Sequence, residues 1–257
     1  MNRKEQPLIS VITPTYNAED YIEETIVSVQ KQTYQHWEMI IVDDCSTDET
    51  LKIIERLAKN DSRIKVYAQN ENQGAGHTRN KALRVSSGRF IAFLDSDDQW
   101  REEKLEKQLR FMLDNHYAFT YTGYDRLQFN DQGLSEIKPV NIPRQTTYQK
   151  LLKKNVIGCL TVMIDRDQTG PIQMLDIRRR QDYALWLELT RLGFEAHGLT
   201  DSLALYRVRV DSISSNKLVV AKQNWRVYRE VEKLSLPVAI WYFMHYAILK
   251  TLEYINY

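Results

Sequence analysis

The chain has 257 residues, enough for one large α/β domain with a substantial hydrophobic core. Its 35 Lys and Arg residues nearly balance 34 Asp and Glu residues, and a net charge of +1 gives no reason to invoke nucleic acid. The two cysteines, Cys45 and Cys159, lie far apart and have no neighbouring metal ligands. They give no disulfide framework and suit a reducing cytoplasm.

The first hundred residues predict strands that alternate with helices. Residues 8–17 form an apolar strand that must end at or near Pro14, and an amphipathic helix follows. A second apolar run within residues 38–48 ends in carboxylates, after which Ser46 and Glu49 have the spacing of a capping box that opens a helix. Such alternation predicts βαβ units and a largely parallel sheet, with ligands beyond the carboxyl ends of its strands.

Carboxylates follow two of these predicted strands. Asp44 follows the second strand, and Asp95, Asp97 and Asp98 follow the apolar run 90–94. Crowded carboxylates raise one another's pKa unless a cation, solvent or hydrogen-bond donors hold them ionised, and oxygen ligands suit Mg²⁺ or Mn²⁺. A solvated acidic loop in which Asp98 caps the next helix explains the cluster equally well.

The second half of the chain is less regular. A strand is predicted at residues 119–123, a long loop at residues 128–143 and a further strand at residues 160–164. The basic run 178–180 then precedes a helix that begins near Asp182. At that position an Asp more often caps backbone N–H groups than performs chemistry.

Five segments, in order and spacing, resemble the family 2 glycosyltransferases of the GT-A fold: residues 11–17, 42–48, 74–83, 93–98 and 180–186. The resemblance covers residues 7–215, and the most similar type is the short bacterial enzymes of cell-wall or surface polysaccharides, such as teichuronic acid transferases. It implies an α/β fold of GT-A type, with a single Rossmann-like, mostly parallel central sheet flanked by helices.

The resemblance also implies an activity and its residues. We expect a metal-dependent inverting transferase that moves a sugar from a nucleoside diphosphate sugar to a saccharide or lipid-linked acceptor. The acceptor chemistry of Asp44 favours a UDP-sugar as the donor. Asp97 is the expected direct ligand of Mn²⁺ or Mg²⁺, with Asp95 beside it, and Asp182 is the expected catalytic base. The expected nucleotide-binding positions are Pro14, Thr15, Tyr16, Asp44, Arg79, Asp95 and Ser96.

Simpler interpretations remain for several of these residues. Tyr16 is also explained as a packed core aromatic, Asp43 as a residue that stabilises its own turn, and Arg79 as a solvated surface charge. The chain also departs from the family at two positions, because Gln181 replaces an expected acidic residue and Arg209 replaces a His. We expect a guanidinium at position 209 to contact phosphate directly, because an Arg does not ligate metal.

We predict a catalytic domain at residues 1–215, with a nucleotide-binding half at 1–100 and an acceptor half at 101–215, and a helical extension at 216–257. Residues 236–249 are almost wholly apolar but too few to span a bilayer, which needs about 20 residues. Packing on the domain or in a homodimer is the favoured interpretation, and an interfacial helix is the alternative. The protein is expected in the cytoplasm, where the membrane's inner face would provide that interface.

Three other classes compete with a transferase. The acidic run resembles the Asp-x-Asp signature of haloacid-dehalogenase-like phosphatases, but Gln99 stands where those enzymes have Thr or Val. Residues 74–79 form a dinucleotide fingerprint in which Arg79 replaces the third glycine, so a dehydrogenase is disfavoured. An inactive nucleotide-sugar-binding module is the remaining alternative, and retention of Asp44, Asp95, Asp97 and Asp182 argues against it.

Overall fold

The structure is a computed structural model that describes residues 6–130, 133–177, 179–208 and 217–255. Its strands are β1 (Ile9–Thr15), β2 (Trp37–Asp43), β3 (Ile64–Ala68), β4 (Phe90–Phe93), β5 (Gln99–Trp100), β6 (Phe119–Asn130), β7 (Gly133–Val140), β8 (Gln145–Thr146), β9 (Met163–Asp165) and β10 (Ala196–Val208). Its helices are α1 (Ile22–Gln30), α2 (Thr50–Ala58), α3 (Ala75–Val85), α4 (Lys104–Asn115), α5 (Tyr148–Lys153), α6 (Arg166–Thr169), α7 (Gln181–Arg191), α8 (Lys217–Arg226) and α9 (Leu236–Ile255).

These strands form one sheet in the order β3-β2-β1-β4-β9-β6-β10-β5, with β7 beside β6 and β8 beside β10. β3, β2, β1 and β4 are parallel, and so are β6 and β10. β9 runs antiparallel to both β4 and β6, so β6 has the direction of β4. The prediction of a mostly parallel central sheet is confirmed.

Side chains that alternate along the central strands build a core on each face of the sheet. On one face Ile12 and Phe93 pack with residues of α3, α5 and α7, and on the other Val11 and Leu94 pack with residues of α1, α2 and α4. Every residue of β1, β2 and β4 is buried, so these strands are covered on both faces, as expected for a sheet between two helical layers.

β1 continues through Pro14 to Thr15, close to its predicted end. Ile12 accepts a hydrogen bond from Leu94, which follows β4, whereas Thr15 accepts one from Asp44, which follows β2. Backbone groups of alternate residues face opposite neighbours, so Pro14 faces the β4 side. Pairing with β4 has ended at Ile12, so the missing N–H of Pro14 breaks no bond of the sheet.

Two predictions for the second half are wrong. Residues 128–143 are not one long loop, because β6 extends to Asn130 and β7 pairs with it as a hairpin. Pro139 obscured this strand, but proline is tolerated at a sheet edge, and β7 pairs only with β6 within the described ranges. The strand predicted at 160–164 begins later, at Met163, because Cys159–Thr161 forms a 3₁₀ turn closed by the Thr161 amide on the Gly158 carbonyl.

The C-terminal helices pack on the core shared by α5 and α7. Val227 and Tyr228, in the π-helical turn after α8, are buried there, as is Ala239 of α9. The prediction that residues 236–249 pack on the domain is therefore confirmed for one face of α9. Within the ranges that the structure covers, no helix has the length and apolarity to cross a bilayer. The predicted boundary at residue 215 lies outside the described residues.

A buried lysine at the start of α4 couples folding to pH. The Lys104 ammonium is fully buried, donates to the Gln108 side-chain oxygen at 2.7 Å and lies 4.3 Å from the Trp100 ring centroid. Burial lowers the pKa of Lys104 to about 7. An unfolded lysine titrates near about 10.4, so between these values unfolding binds a proton. The free energy of unfolding therefore rises with pH through this window, and the gain is lost as pH falls towards 7.

Replacement of this side chain tests the coupling. We expect the melting temperature of the parent, minus that of Lys104→Met, to increase from about pH 7 to about pH 10, because only the parent gains stability as Lys104 deprotonates. Thermal melts across this range measure it, with the exposed Lys150→Met as control. Loss of a donor to Gln108 adds an offset that does not vary with pH. A difference that stays flat with pH would contradict the lowered pKa.

Candidate active site

The carboxyl ends of four parallel strands meet at one edge of the sheet. Thr15, the last residue of β1, lies opposite Asp43, the last residue of β2. Phe93, the last residue of β4, also pairs with β1. Asp44 and Asp95 follow β2 and β4, so the structure brings both to the edge that the strand ends predicted.

Asp44 anchors the loop that leads into α3. It is 3% exposed, and its carboxylate accepts hydrogen bonds from the amides of Gln73 and Gly74, both at 2.8 Å, and from the Gln69 side chain at 2.6 Å. An ionised carboxylate has about four acceptor positions, so one remains for a ligand donor. The residue predicted to read a base thus also holds the loop beside it.

Asp43 shapes the turn after β2. Its carboxylate accepts bonds from the Ser46 amide at 2.9 Å and from the Ser46 hydroxyl. The simple interpretation of Asp43 as a turn residue is therefore confirmed. The capping box predicted from Ser46 to Glu49 is wrong, because α2 begins at Thr50 and the Thr50 amide donates to Asp48 at 3.0 Å.

The turn after β1 carries the residues predicted to line a base pocket. Pro14 and Thr15 are buried, whereas Tyr16 is 49% exposed, so its interpretation as a core aromatic is wrong. The Thr15 hydroxyl is buried and finds no hydrogen-bond partner among the residues described. A polar ligand group at this edge would satisfy it. Ser96 lies in the acidic loop, residues 94–98, where its carbonyl accepts a bond from Thr25 of α1 at 3.0 Å.

Arg79 of α3 and Asp95 of the acidic loop form an ion pair at this edge. Their Nη2 and Oδ1 atoms are 2.5 Å apart, with 8% of the Arg79 side chain and 32% of the Asp95 side chain exposed. Burial acts to lower the pKa of Arg79, but the charge and hydrogen bond of Asp95 outweigh it, so the pKa lies above its usual value. Arg79 is therefore a buried, fixed positive charge, and its interpretation as a solvated surface residue is wrong.

The acidic loop crowds three carboxylates. Asp98 is 2% exposed, and burial, followed by the charges of Asp97 and Asp95, raises its pKa well above the usual value. It accepts a bond from the Arg207 amide at 3.0 Å. It does not cap the following helix, because β5 comes next and α4 begins only at Lys104. The solvated-loop interpretation is thus wrong for Asp98.

The donor set of this loop fits a divalent cation. Asp95 and Asp97 are half-buried carboxylates, the hard oxygen donors that Mg²⁺ and Mn²⁺ prefer. After burial, the charges of Asp97 and Asp95 are the next causes of the raised pKa of Asp98, so the three carboxylates lie close together. No group of three His, Cys, Asp or Glu side chains placed to hold an ion occurs in the described part of the chain. Such an ion would therefore take further ligands from substrate phosphate and water, as Mg²⁺ commonly does.

Asp182 lies near the same ion pair. It raises the pKa of Arg79 and that of the partly buried Cys159 thiol, behind larger effects from burial and Asp95, so the three groups share one electrostatic environment. α7 begins at Gln181 with Arg180 at the N-cap position, so Asp182 stands inside the first turn, and no side-chain cap is formed at the N-cap in the portion described. Its interpretation as a helix cap is wrong.

Packing fixes the start of α7. Trp186 is fully buried one turn after Asp182, and its ring lies edge-on to that of Phe93 at 5.7 Å, two residues before Asp95. A Cβ atom at Gly76 would lie 2.9 Å from Cγ of Gln181, so only glycine permits this approach of α3 to α7. Gln181 therefore packs between two helix N-termini, whose partial positive charges favour an anion nearby.

Arg207 of β10 is the site residue that sequence reasoning missed. Its Nε donates to the Asp97 carbonyl at 3.2 Å, and its Nη2 lies 2.5 Å from the Glu24 carboxylate of α1. These contacts join residues 110 and 183 positions apart, which no local pattern reveals. The sequence directed attention instead to Arg209, which lies outside the described residues, as does Arg178.

Arg207 is expected to hold the acidic loop in place. Its side chain is 11% exposed, so Arg207→Met should lower the free energy of unfolding by about 1.5–3 kcal/mol, the usual range for charged hydrogen bonds. Arg56→Met is the control, because Arg56 pairs with Glu23 of α1 at 2.7 Å while both are half-exposed or more, and less than about 1 kcal/mol should be lost. Chemical denaturation measures both losses. Equal losses would show that Arg207 does not brace the loop.

Comparisons with known proteins agree with this geometry. The family described as "Glycosyl transferase family 2" matches residues 10–166. A "Putative teichuronic acid biosynthesis glycosyltransferase TuaG" of Bacillus subtilis is 53% identical over 242 residues, covering 94% of this chain and 95% of the relative. "UDP-Glc:alpha-D-GlcNAc-diphosphoundecaprenol beta-1,3-glucosyltransferase WfgD" of Escherichia coli is 40% identical over 245 residues, covering 94% and 93%.

Among solved structures, S. aureus TarS residues 1–349 in complex with UDP matches with a TM-score of 0.65 and 26% identity. The match covers 78% of this chain and 60% of that one. The fold and site therefore define a glycosyltransferase of the GT-A fold. The chain belongs to glycosyl transferase family 2, as its five motif segments predicted. The phosphatase and inactive-module alternatives find no support in these comparisons.

Proposed function

We propose that this enzyme transfers a sugar from a UDP-sugar to a saccharide or lipid-linked acceptor during synthesis of a cell-wall or surface polysaccharide. The ion pair of Arg79 with Asp95, beside the acidic loop at the strand ends, carries the proposal, because it sets a fixed cation and carboxylates where a nucleoside diphosphate would bind. Two similar proteins support the donor: one is named for UDP-Glc and the other was solved with UDP.

The nucleotide would bind along the edge formed by β1, β2 and the acidic loop. Asp44 would accept the imide N–H of uracil at its remaining acceptor position, while Pro14, Thr15 and Tyr16 line the base. Asp95 and Ser96 would meet the ribose. Arg79, buried and permanently charged, would face the diphosphate.

A divalent ion, Mn²⁺ or Mg²⁺, would be held by Asp97 and Asp95. When bound, such an ion neutralises the charge that develops on a leaving diphosphate. The chain supplies the bracing: Arg207 ties the Asp97 carbonyl to α1, and the Thr25 hydroxyl donates to the Asp98 carbonyl at 2.8 Å. A pre-organised loop spends no free energy on reorganisation when charge develops.

Asp182 would be the catalytic base. As the acceptor oxygen bonds to the anomeric carbon, its proton passes to the Asp182 carboxylate and the bond from that carbon to the diphosphate oxygen breaks, which releases UDP. One base without a carboxylate nucleophile gives a single displacement and inversion of the anomeric centre. Within the described residues Asp182 is not the N-cap of α7, so its carboxylate would be available to accept this proton.

A lipid-linked acceptor would place the reaction at a membrane surface. We therefore propose a cytoplasmic enzyme that works at the inner face of the membrane. Residues 1–215 would form the catalytic domain, with its nucleotide half at 1–100, and residues 216–257 the helical extension.

The metal assignment is tested through UDP binding. Asp97→Ala should abolish the part of the UDP-induced thermal shift that depends on Mn²⁺, because a direct ligand is lost. UDP, GDP and dTDP are compared with and without Mn²⁺, and only UDP should give the full shift. Asp114→Ala is the matched control, since Asp114 is an exposed carboxylate on α4. An Asp97→Ala protein with the parental metal dependence would disprove the assignment.

Asp182→Asn separates chemistry from structure. Asn keeps the size of Asp but takes no proton, so the variant should fold and bind UDP normally while transfer falls by about 10²–10⁴-fold. Transfer of labelled sugar and UDP calorimetry measure the two effects, and Asp176→Asn, an exposed position before α7, serves as control. Transfer at near the parental rate would move the base elsewhere, with Asp125 and Glu188 next in order.

A further inference from the structure

α9 presents two different faces. Ala239 is fully buried and Tyr246 is 8% exposed, and both face the domain core. The opposite side, which we term the outer face of α9, consists of Ile240, Trp241, Met244, Ala247 and Ile248. Trp241 is 57% exposed, Ile248 55% and Met244 54%. At about 1.5 Å per residue these side chains form an uncharged apolar stripe along more than two helical turns.

The segment that carries this stripe has an excess of positive charge. Residues 217–255 contain six Lys and Arg against three Glu, although the whole chain has a net charge of only +1. Two of the three glutamates are paired: Glu230 with Arg226 at 3.2 Å, and Glu232 with Arg191 at 3.4 Å. Lys222 of α8 and Lys233, three residues before α9, are exposed. The segment that contains α8 and α9 therefore has a net positive charge, with Lys222 and Lys233 at its surface.

This combination selects one occupant. A second copy of the chain would bring like-charged surfaces together, which opposes association. An anionic lipid surface complements both the cations and the apolar stripe. Trp241, whose ring lies 4.4 Å from that of His245, offers the amphipathic aromatic group that favours the headgroup level. Since no described helix spans a bilayer, α9 would lie in the plane of the interface.

We propose that the outer face of α9 docks the enzyme on an anionic membrane surface, with Lys222 and Lys233 at the headgroups and Trp241, Met244 and Ile248 in the interface. The docking deepens the proposed function, since it rests on a lipid-linked acceptor for its purpose. Its physical basis is the surface of α8 and α9 alone. Vesicles without donor or acceptor therefore test it separately from transfer.

The experiment is co-flotation of the full chain with phosphatidylcholine vesicles that contain or lack phosphatidylglycerol. We expect binding to vesicles with phosphatidylglycerol at low salt, and a fall of at least about tenfold at high salt, without the anionic lipid, or in Lys222→Glu/Lys233→Glu. Trp241→Ser/Met244→Ser should lose binding to the same degree. Leu192→Ser is the matched control, because Leu192 is 61% exposed at the end of α7.

Several results would overturn the proposal. A parent chain that ignores anionic vesicles would do so, and so would a Trp241→Ser/Met244→Ser protein that binds like the parent. Light scattering provides the third result. If the parent does not bind vesicles and is a dimer that these substitutions dissociate, the outer face is a contact between two copies of the chain. Because the altered side chains are exposed, the variants should melt like the parent. If the variants melt at a lower temperature than the parent, the proposal is judged by how vesicle binding of the parent depends on anionic lipid and on salt.

Discussion

The buried guanidinium of Arg79 is the constraint on which the site depends. A buried charge is tolerated only when it is paired, and Asp95 provides the pair at 2.5 Å. This contact fixes the start of α3 against the end of β4. The loop before α3 is in turn fixed on Asp44, and Gly76 lets the same helix approach Gln181 of α7. One ion pair thus connects the elements that carry nearly every candidate residue.

The acidic loop is held by cations from two sides, and this has a chemical consequence. Arg79 pairs with Asp95 from α3, while Arg207 binds the Asp97 carbonyl and the Asp98 carboxylate from β10. Both arginines bind groups of the loop, yet the charges of Asp97 and Asp95 still add, after burial, to the raised pKa of Asp98. The fold therefore keeps carboxylates close enough to repel one another at a place where a bound cation would reduce the repulsion. Such repulsion is unfavourable for stability and is typical of functional sites.

The sequence predicted features that depend on local periodicity and failed where distant contacts decide. The βαβ alternation and the acidic strand ends are local, so the sheet edge with Asp44 and Asp95 was predicted correctly. Pro139 hid an edge strand, since a proline argues against a strand only in a sheet interior. The alternative interpretation of Asp182 as a helix cap fails because α7 begins one residue earlier, after a left-handed Arg180. Arg207 acts across the fold, and no spacing rule finds it.

The apolarity of residues 236–249 could not distinguish packing from membrane contact, because it combines two faces with different neighbours. The buried face also links α9 to the candidate base through α5. The Tyr228 hydroxyl, between α8 and α9, donates to the Leu152 carbonyl at 2.6 Å, and the Tyr183 hydroxyl, beside Asp182, donates to the Leu151 carbonyl at 2.9 Å. Burial raises the pKa of Tyr228 to about 12, so it stays a donor at neutral pH. A surface that oriented α9 would thereby orient the start of α7 and present Asp182 at a fixed angle to an acceptor held in that surface.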